Sequence, residues 1–588
     1  MNKFIKKIYV LPMMAALVAT TGCMDNIEPT SVASKNQLQQ DENAFSKQVN
    51  GLKAKMIATD TYGTTAGSYA EALADWGYPC YMLMRETLLD GTPTTGSTWN
   101  YQYRYEACTD LAGYAAYPYY YYYSFIRNAN SILSTYSTEG ATTSQLQQFA
   151  TVYAYRAFCY MDLTMMYEFN KTGISELDKK AETNKVFGLT VPIVTENTTG
   201  EESKHNARAP FYTMYRFIYN DLSNAEDKIA GLQRSDKNDI NIDVVNGLLA
   251  RFWMMLGSRF EQSSEDLATQ MQHESDEDGY KSLGITSAKE CFAKAEAYAD
   301  KVIAAGYQPL TKSQWHDTKT GFNTANDAWI WDFQFTSTEQ EPSYWCTLIG
   351  IFAAEPTWGF SCYGGEYRCL SSRLFRKMAD TDWRKTSWVA PSDAGAKTVP
   401  SKYKTQLKDE TTETKEANTN WSRLPEYANL KFRPGGGDMD VLENGLLVAV
   451  PLMRVEEMYF IKAEAKAHTE GLSAGIKALE DFMNTYRSDD GSYTCDATTY
   501  DDFIKELIDQ KYIEFWGEGV LYNDYKRLHL QVDRKFSDTN YPEVYQMVSK
   551  KGYTAPWLNF YVPAMEKSFN DAIVMNPDPT PYVKSDCK

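Results

Sequence analysis

Apolar residues recur at helical spacing through most of this chain, and the pattern stops for one long stretch between Gly306 and Pro451. A helix with one apolar stripe must bury it against a neighbour, and successive helices joined by short turns favour antiparallel pairs. Tyr120, Tyr123, Ile126, Arg127 and Asn130 begin one such helix, which continues to Leu133. Phe149, Val152, Tyr153, Arg156, Ala157 and Tyr160 share one stripe of another over 145–167. The spacing predicts further helices over 212–229, 244–257 and 288–305, then over 454–467, 475–486 and 500–515. Ala293, Ala297, Ala299 and Val302 allow close packing of the 288–305 helix, and Gly306 is placed to cap it. The expected fold is mainly α, a scaffold of tetratricopeptide-like antiparallel helix pairs that bury a continuous core only by stacking.

Residues 307–450 break the period and predict a loop-rich insertion subdomain with few short strands. Trp329-Ile330-Trp331-Asp332-Phe333 is its strand candidate, and Pro434-Gly435-Gly436-Gly437 is a turn cluster. A smaller interruption, about 75–113, lies between early helices. The resulting division is a leader over 1–22, a tether over 23–40, an N-terminal helical region over 41–306, the insertion over 307–450 and a C-terminal helical region over 451–588.

Lys3, Lys6 and Lys7 precede an apolar stretch from Ile8 to Ala19, too short to span a bilayer, which reads as a signal peptide. Thr20-Thr21-Gly22-Cys23 resembles the end of a bacterial lipoprotein signal, which implies lipidation of Cys23. Asp25 and Glu28 resemble the acidic export tag of surface lipoproteins in the Bacteroidetes. Beyond this leader, no stretch reaches the roughly 18 apolar residues of a membrane span. The net charge of −18 disfavours nucleic acid, whose binding rests on neutralising phosphates. Five His leave little room for a multi-His metal centre, and the ten Cys show no disulfide or zinc framework. Most of these Cys are expected as small buried apolar residues. No G-x-S-x-G elbow, P-loop or H-E-x-x-H helix is present, and 77 acidic residues make any carboxylate pair uninformative. No enzyme, no cofactor and no resident metal is expected. Glu274 to Asp278 reads as a solvated charge run rather than a calcium loop.

Val450-Pro451-Leu452-Met453-Arg454-Val455-Glu456-Glu457-Met458, followed by Ala463-Glu464-Ala465, is similar to the "PL-x-R-x-x-E" and "AEA" segments of the SusD/RagB family of outer-membrane nutrient-binding lipoproteins. Glu514-Phe515-Trp516-Gly517-Glu518-Gly519 with Asp524-Tyr525-Lys526-Arg527 resembles its "EF-x-GEG" region, and Tyr561-Val562-Pro563-Ala564-Met565-Glu566 with Asn570 and Asn576 its closing segment. Phe125-Ile126-Arg127-Asn128-Ala129-Asn130, Tyr155-Arg156-Ala157-Phe158, Asn220-Asp221-Leu222 and Leu249-Ala250-Arg251 agree in the N-terminal half. Leu521-Tyr522 and Leu528-His529 depart from the family's usual Arg and Arg-Trp. These signature residues also have a plain structural reading. Arg454 with Glu456 or Glu457 makes a helix-entry ion pair, and Glu514, Glu518 and Asp524 near Arg527 form one charge network.

The resemblance implies a cell-surface, outer-membrane lipoprotein, anchored by its lipid. It would capture oligo- or polysaccharide and deliver it to a SusC-like TonB-dependent transporter. The family draws ligand contacts from an early loop and from the later insertion. Here the early loop supplies Asp75, Arg85, Trp99, Asn100, Tyr101 and Tyr103, and the insertion supplies Tyr344, Trp345, Trp358, Tyr363 and Tyr367. Flat aromatic faces with little entropy to lose suit the C–H faces of sugar rings, though each ring alone can equally serve packing. Peptide uptake of the RagB type and a non-transport surface adhesin are the alternatives.

Overall fold

Each long apolar stripe forms a helix in the computed structural model, which describes residues 35–41, 43–57, 77–96, 113–336, 348–353, 366–406, 421–437, 445 and 447–587. In chain order the main helices are α1 (Ala44–Lys55), α2 (Tyr78–Thr87), α3 (Gly113–Thr135), α4 (Thr143–Tyr167), α5 (Phe211–Lys228), α6 (Ile242–Gln262) and α7 (Ala288–Ala304). After the interruption come α8 (Val455–Thr469), α9 (Leu472–Tyr486), α10 (Tyr500–Phe515) and α11 (Leu521–Arg527). Side-chain caps set several starts: Thr142 and Gln145 form a reciprocal box at α4, and Asn241, Ser287 and Thr499 cap α6, α7 and α10. α3 begins earlier than its stripe suggests because it absorbs Pro118 near its start, where only one backbone donor is lost. α6 runs on past Gly257, which is a point of close approach: a Cβ there would lie 2.8 Å from the Phe292 ring of α7.

The helices stack in sequence order, α3 on α4, α4 on α5, α6 on α7, and α8 on α9 and α10. α7 also packs on α8 although the whole interruption separates them in the chain. This is possible because β1 (Trp329–Gln334) and β2 (Ala449–Arg454) pair antiparallel, Trp329 opposite Arg454 and Gln334 opposite Ala449. Phe335 N–H donates to the Val448 carbonyl at 2.8 Å, so the chain leaves the stack and returns to it at one place.

Ion pairs lock neighbouring helices. Arg156 of α4 holds Asp221 of α5 with two hydrogen bonds of 2.7 and 2.9 Å, and Arg251 of α6 holds Glu457 of α8. The acids of the C-terminal motif form two networks rather than the single one expected. Asp524 and Arg527 of α11 join Glu464 of α8 and Lys511 of α10. Glu514 and Glu518 instead face β2. Arg454 pairs with Glu456 at 2.9 Å, Glu514 at 3.2 Å and Glu518 at 2.9 Å, while Arg487 and Arg384 reach Glu514 at 2.8 and 3.0 Å. Lys431 donates to Glu518 at 2.6 Å and to the Glu514 and Trp516 carbonyls. The separation follows from the turn after α10: Gly519 holds a left-handed φ of 67° and packs where a Cβ would lie 2.7 Å from the Met82 carbonyl oxygen, so α11 leaves in a new direction.

Among the described residues, Cys80, Cys159, Cys291, Cys369, Cys495 and Cys587 are all buried. No helix there is long and apolar enough to cross a membrane.

Burial alone would raise the Glu514 carboxyl, but the charges and hydrogen bonds of Arg487, with Arg454 and Arg384, hold it well below the usual carboxylate range. Removing it takes from three buried guanidinium groups the one carboxylate they share, so Glu514→Ala should destabilise the protein by about 3–5 kcal/mol in urea unfolding. An unchanged midpoint would exclude this network as a principal support.

Candidate functional site

α2 is buried on every face, from Tyr78 to Thr87, and delivers the chain into the segment Gly91–Gly96. That segment is held from below. Gly91 N–H donates to the Tyr512 hydroxyl at 3.1 Å, Thr92 N–H to the Tyr541 hydroxyl at 3.2 Å, and the Trp516 indole N–H to the Gly91 carbonyl at 3.0 Å. Only glycine fits at Gly91, where a Cβ would come within 2.2 Å of the Tyr512 ring. The Glu86 carboxylate accepts from the Thr92 hydroxyl at 2.8 Å and from Gly519 N–H at 3.3 Å, tying the same segment to the turn after α10.

Beside it lies a ladder built from single bridges: Thr94 with Arg368, Cys369 with Ala428, and Trp388 with Asn429, all antiparallel. Thr95 N–H donates to the Tyr367 carbonyl at 3.1 Å and Cys369 N–H to the Pro93 carbonyl at 2.8 Å. Further along, Leu370 N–H donates to the Tyr427 carbonyl at 3.0 Å and Val389 N–H to the Ala428 carbonyl at 2.9 Å. Four chain segments, near residues 94, 368, 388 and 428, therefore lie side by side. None is long enough to leave an alternating pattern, so the sequence carries no signal for this sheet.

Asp75, Trp99, Asn100, Tyr101, Tyr103, Tyr344, Trp345, Trp358 and Tyr363 lie outside the described residues, as does Cys23. The structure does place the ends of the segments that carry several of them. Residues 97–112 follow Gly96, and residues 354–365 run from Ala353 to Glu366. Gly96 and Glu366 touch so closely that a Cβ on Gly96 would lie 2.3 Å from the Glu366 carboxyl carbon. Arg85 and Tyr367, the two candidates that are described, are both buried. Arg85 is 3% exposed, pairs with Asp162 at 3.1 Å and donates to the Tyr78 hydroxyl at 2.6 Å. Tyr367 is 7% exposed, with its backbone N–H on the Thr95 hydroxyl at 2.9 Å.

Tyr119, Tyr121 and Tyr122 are buried in interhelical packing, as their helical spacing predicts. In 274–278 the residues Asp276, Glu277 and Asp278 are exposed, as a solvated run would be, while Asp276 and Asp278 also pair with the fully buried Arg216 and Glu274 accepts from Leu283 N–H at 2.5 Å. Among the described residues no three His, Cys, Asp or Glu side chains gather to hold a metal ion. Two open grooves lie elsewhere, with volumes of about 950 Å³ beside Thr172–Glu176 and about 440 Å³ beside Ser488–Ala497. Each has a tyrosine already engaged: Tyr582 lies under the Lys180 ammonium, and Tyr493 donates to Glu506.

The architecture so defined, stacked antiparallel helix pairs carrying a loop-rich excursion, matches solved structures along nearly their whole length. A SusD-like carbohydrate binding protein from Bacteroides vulgatus aligns with a TM-score of 0.62 at 19% identity, covering 90% of this chain and 96% of that one. A SusD superfamily protein from Bacteroides thetaiotaomicron gives 0.61 at 16% identity over 93% and 100%. A putative sugar binding protein from Bacteroides vulgatus gives 0.60 at 17% identity over 91% and 98%. At these identities the likeness is one of fold. The SusD family model matches residues 241–578, more than half of the chain, and the chain belongs to that family. No curated protein matches it.

Burial pushes the Glu86 carboxyl up to about 7 from its ordinary 4.5. A folded-state value above the unfolded one means that its stabilising contribution is full below 4.5 and is lost as pH rises through 7. Glu86→Gln should remove that slope. Unfolding midpoints measured on both proteins across this window should show wild type losing ground to the variant as pH rises. Parallel curves would contradict the assignment.

Proposed function

We propose that this chain is a lipid-anchored outer-membrane protein that faces the cell exterior and captures oligo- or polysaccharide. It then passes the glycan to a SusC-like TonB-dependent transporter without altering it. The observation that carries the reading is the shared root of the two aromatic segments: 97–112 and 354–365 leave the scaffold from Gly96 and Glu366, which are in contact. Family membership supports it, and two proteins of the same fold are a SusD-like carbohydrate binding protein and a putative sugar binding protein. Loops set on a rigid scaffold are the usual place for binding residues.

In this reading Trp99, Asn100, Tyr101, Tyr103, Trp358, Tyr363, Asp75, Tyr344 and Trp345 supply the glycan contacts. Ring faces stack on the sugar and the Asn and Asp side chains meet its hydroxyls. Tyr367 acts through its backbone, which pairs with Thr95 beside the Gly96–Glu366 contact, and Arg85 steadies α2 from within by its pair with Asp162. Cys23 carries the lipid. A RagB-like peptide carrier remains the second reading, since an extended peptide would use backbone hydrogen bonds and apolar pockets at the same loops. An adhesin would keep the anchor and the helices without a soluble ligand.

Affinity electrophoresis against starch, xylan, pectin and mucin glycans, run beside a peptide library, separates these readings. Retention by one polysaccharide and none of the peptides is expected. Selective peptide binding would end the sugar reading. Trp99→Ala should weaken retention by about tenfold, the value of a lost stacking contact of about 1.4 kcal/mol, with little change in melting temperature. Trp516→Ala should do the reverse, lowering stability by about 3–5 kcal/mol because that ring is fully buried.

A further inference from the structure

A cavity of about 80 Å³ lies where α2, α4, α6, α8, α10 and α11 meet. Two kinds of side chain line it. Met82, Met161, Met165, Met254 and Met255 give it an apolar lining from α2, α4 and α6. Thioether chains are flexible and polarisable, so they fill irregular space and adapt to what enters. Arg251, Lys511, Asn523 and Asp524 bring polar groups to the same space. Met165, Arg251, Val520 and Asn523 are half-buried, which opens the cavity to solvent on their side.

The polar lining has more donors than acceptors. Lys511 is 5% exposed, and among the described residues its ammonium, which carries three N–H bonds, meets only Asp524, at 2.7 Å. Arg251 engages Glu457 through Nε at 2.8 Å and Nη2 at 2.6 Å, and Nη2 also reaches the Leu452 carbonyl at 2.8 Å. Its Nη1 has no acceptor among the described residues. The Asn523 side chain makes no hydrogen bond there either, and its amide oxygen is buried. No acid of the lining is left over to answer these donors: Asp162 is paired with Arg85, Glu457 with Arg251, and Glu518 with Arg454 and Lys431. Buried donors without acceptors are costly, so a surplus gathered in one cavity points to an occupant that supplies oxygen.

Size and chemistry narrow that occupant. At roughly 10–15 Å³ for each water-sized site, the cavity takes about five to eight non-hydrogen atoms. Two of the donor groups are cationic, and a charged acceptor bonds to them about twice as strongly as a neutral one. The methionines favour hydrocarbon, and a second charge would have to lie among them unpaired. We propose that this cavity is a binding site for a short-chain monocarboxylate. Its carboxylate accepts from Lys511, Arg251 Nη1 and Asn523, and its hydrocarbon tail lies among the methionines. The site stands apart from the glycan reading, because every residue that forms it belongs to the helical scaffold.

The test uses the full chain and sodium butyrate, with butyramide and sodium succinate beside it. Saturation-transfer NMR on the ligand's aliphatic protons reads contact, and titration calorimetry reads affinity. Butyrate should bind once per chain with a millimolar Kd, as suits so small a ligand. It should bind about tenfold more tightly than the neutral amide or the dicarboxylate. Asn523→Leu removes no hydrogen bond of the ligand-free protein, so it should weaken butyrate about tenfold with the melting temperature unchanged. Lys511→Met should abolish binding, and Asp524 keeps Arg527 as its partner in that variant. If Lys511→Met does not fold, Asn523→Leu decides alone. Undiminished saturation transfer in the variants overturns the site, because the ligand then lies elsewhere. Equal binding of butyrate and butyramide overturns it too, since the carboxylate is then not what is recognised. An absence of binding to wild type leaves the cavity to water and ends the proposal.

Discussion

Four bases and four acids, sealed together where α10 ends, hold the molecule's parts in one arrangement. Arg454 and Glu456 come from the junction of β2 and α8, Arg487 from the end of α9, and Glu514 and Glu518 from the end of α10. Asp382, Arg384 and Lys431 come from the long excursion. Taking such charges out of water costs several kcal/mol each, and the cluster is tolerable only because each charge meets opposite charge and hydrogen bonds. Lys431 shows the strain of burial, its ammonium pushed down to about 8 despite Glu518 beside it. A cluster of this kind is weak as a source of net stability and strong as a constraint: a misplaced helix or excursion would leave a bare charge inside.

The constraint reaches the candidate site through a short path. The turn that carries Glu518 also carries Trp516 and Gly519. Trp516 holds the Gly91 carbonyl and Gly519 holds Glu86. Residues that resemble a family signature therefore act as foundation. They fix Gly91–Gly96, which is where the early aromatic segment starts. The residues beyond Gly96 can then vary in sequence without disturbing this foundation.

The helices were legible because a stripe at 3.6-residue spacing has few other uses, and α4, α5, α7 and α10 begin within two residues of where periodicity puts them. Arg454 with Glu456 was legible as an ion pair, because the two sit together at a helix entry. The expected limits at Tyr120 and Gly257 fell short, because α3 tolerates Pro118 inside it and Gly257 serves a close helix crossing rather than an end. The split of the charge network was hidden because chain proximity of Glu514, Glu518 and Asp524 says nothing of the reversal at Gly519. The single-bridge ladder was hidden more deeply, because one residue per strand makes no pattern.

The pairing of β1 with β2 has a consequence for how such a protein changes over generations. Because everything from Phe335 to Val448 begins and ends on adjacent residues, its length can grow or shrink without pulling α7 from α8. The stack is indifferent to the size of what it carries. What a replacement would have to bring is small and specific: an acid and two cations standing where Asp382, Arg384 and Lys431 meet Glu514 and Glu518, and an edge for Thr94. A lineage could exchange recognition surfaces as cassettes on those terms alone, and a designer grafting one from a distant relative would be held to the same short list.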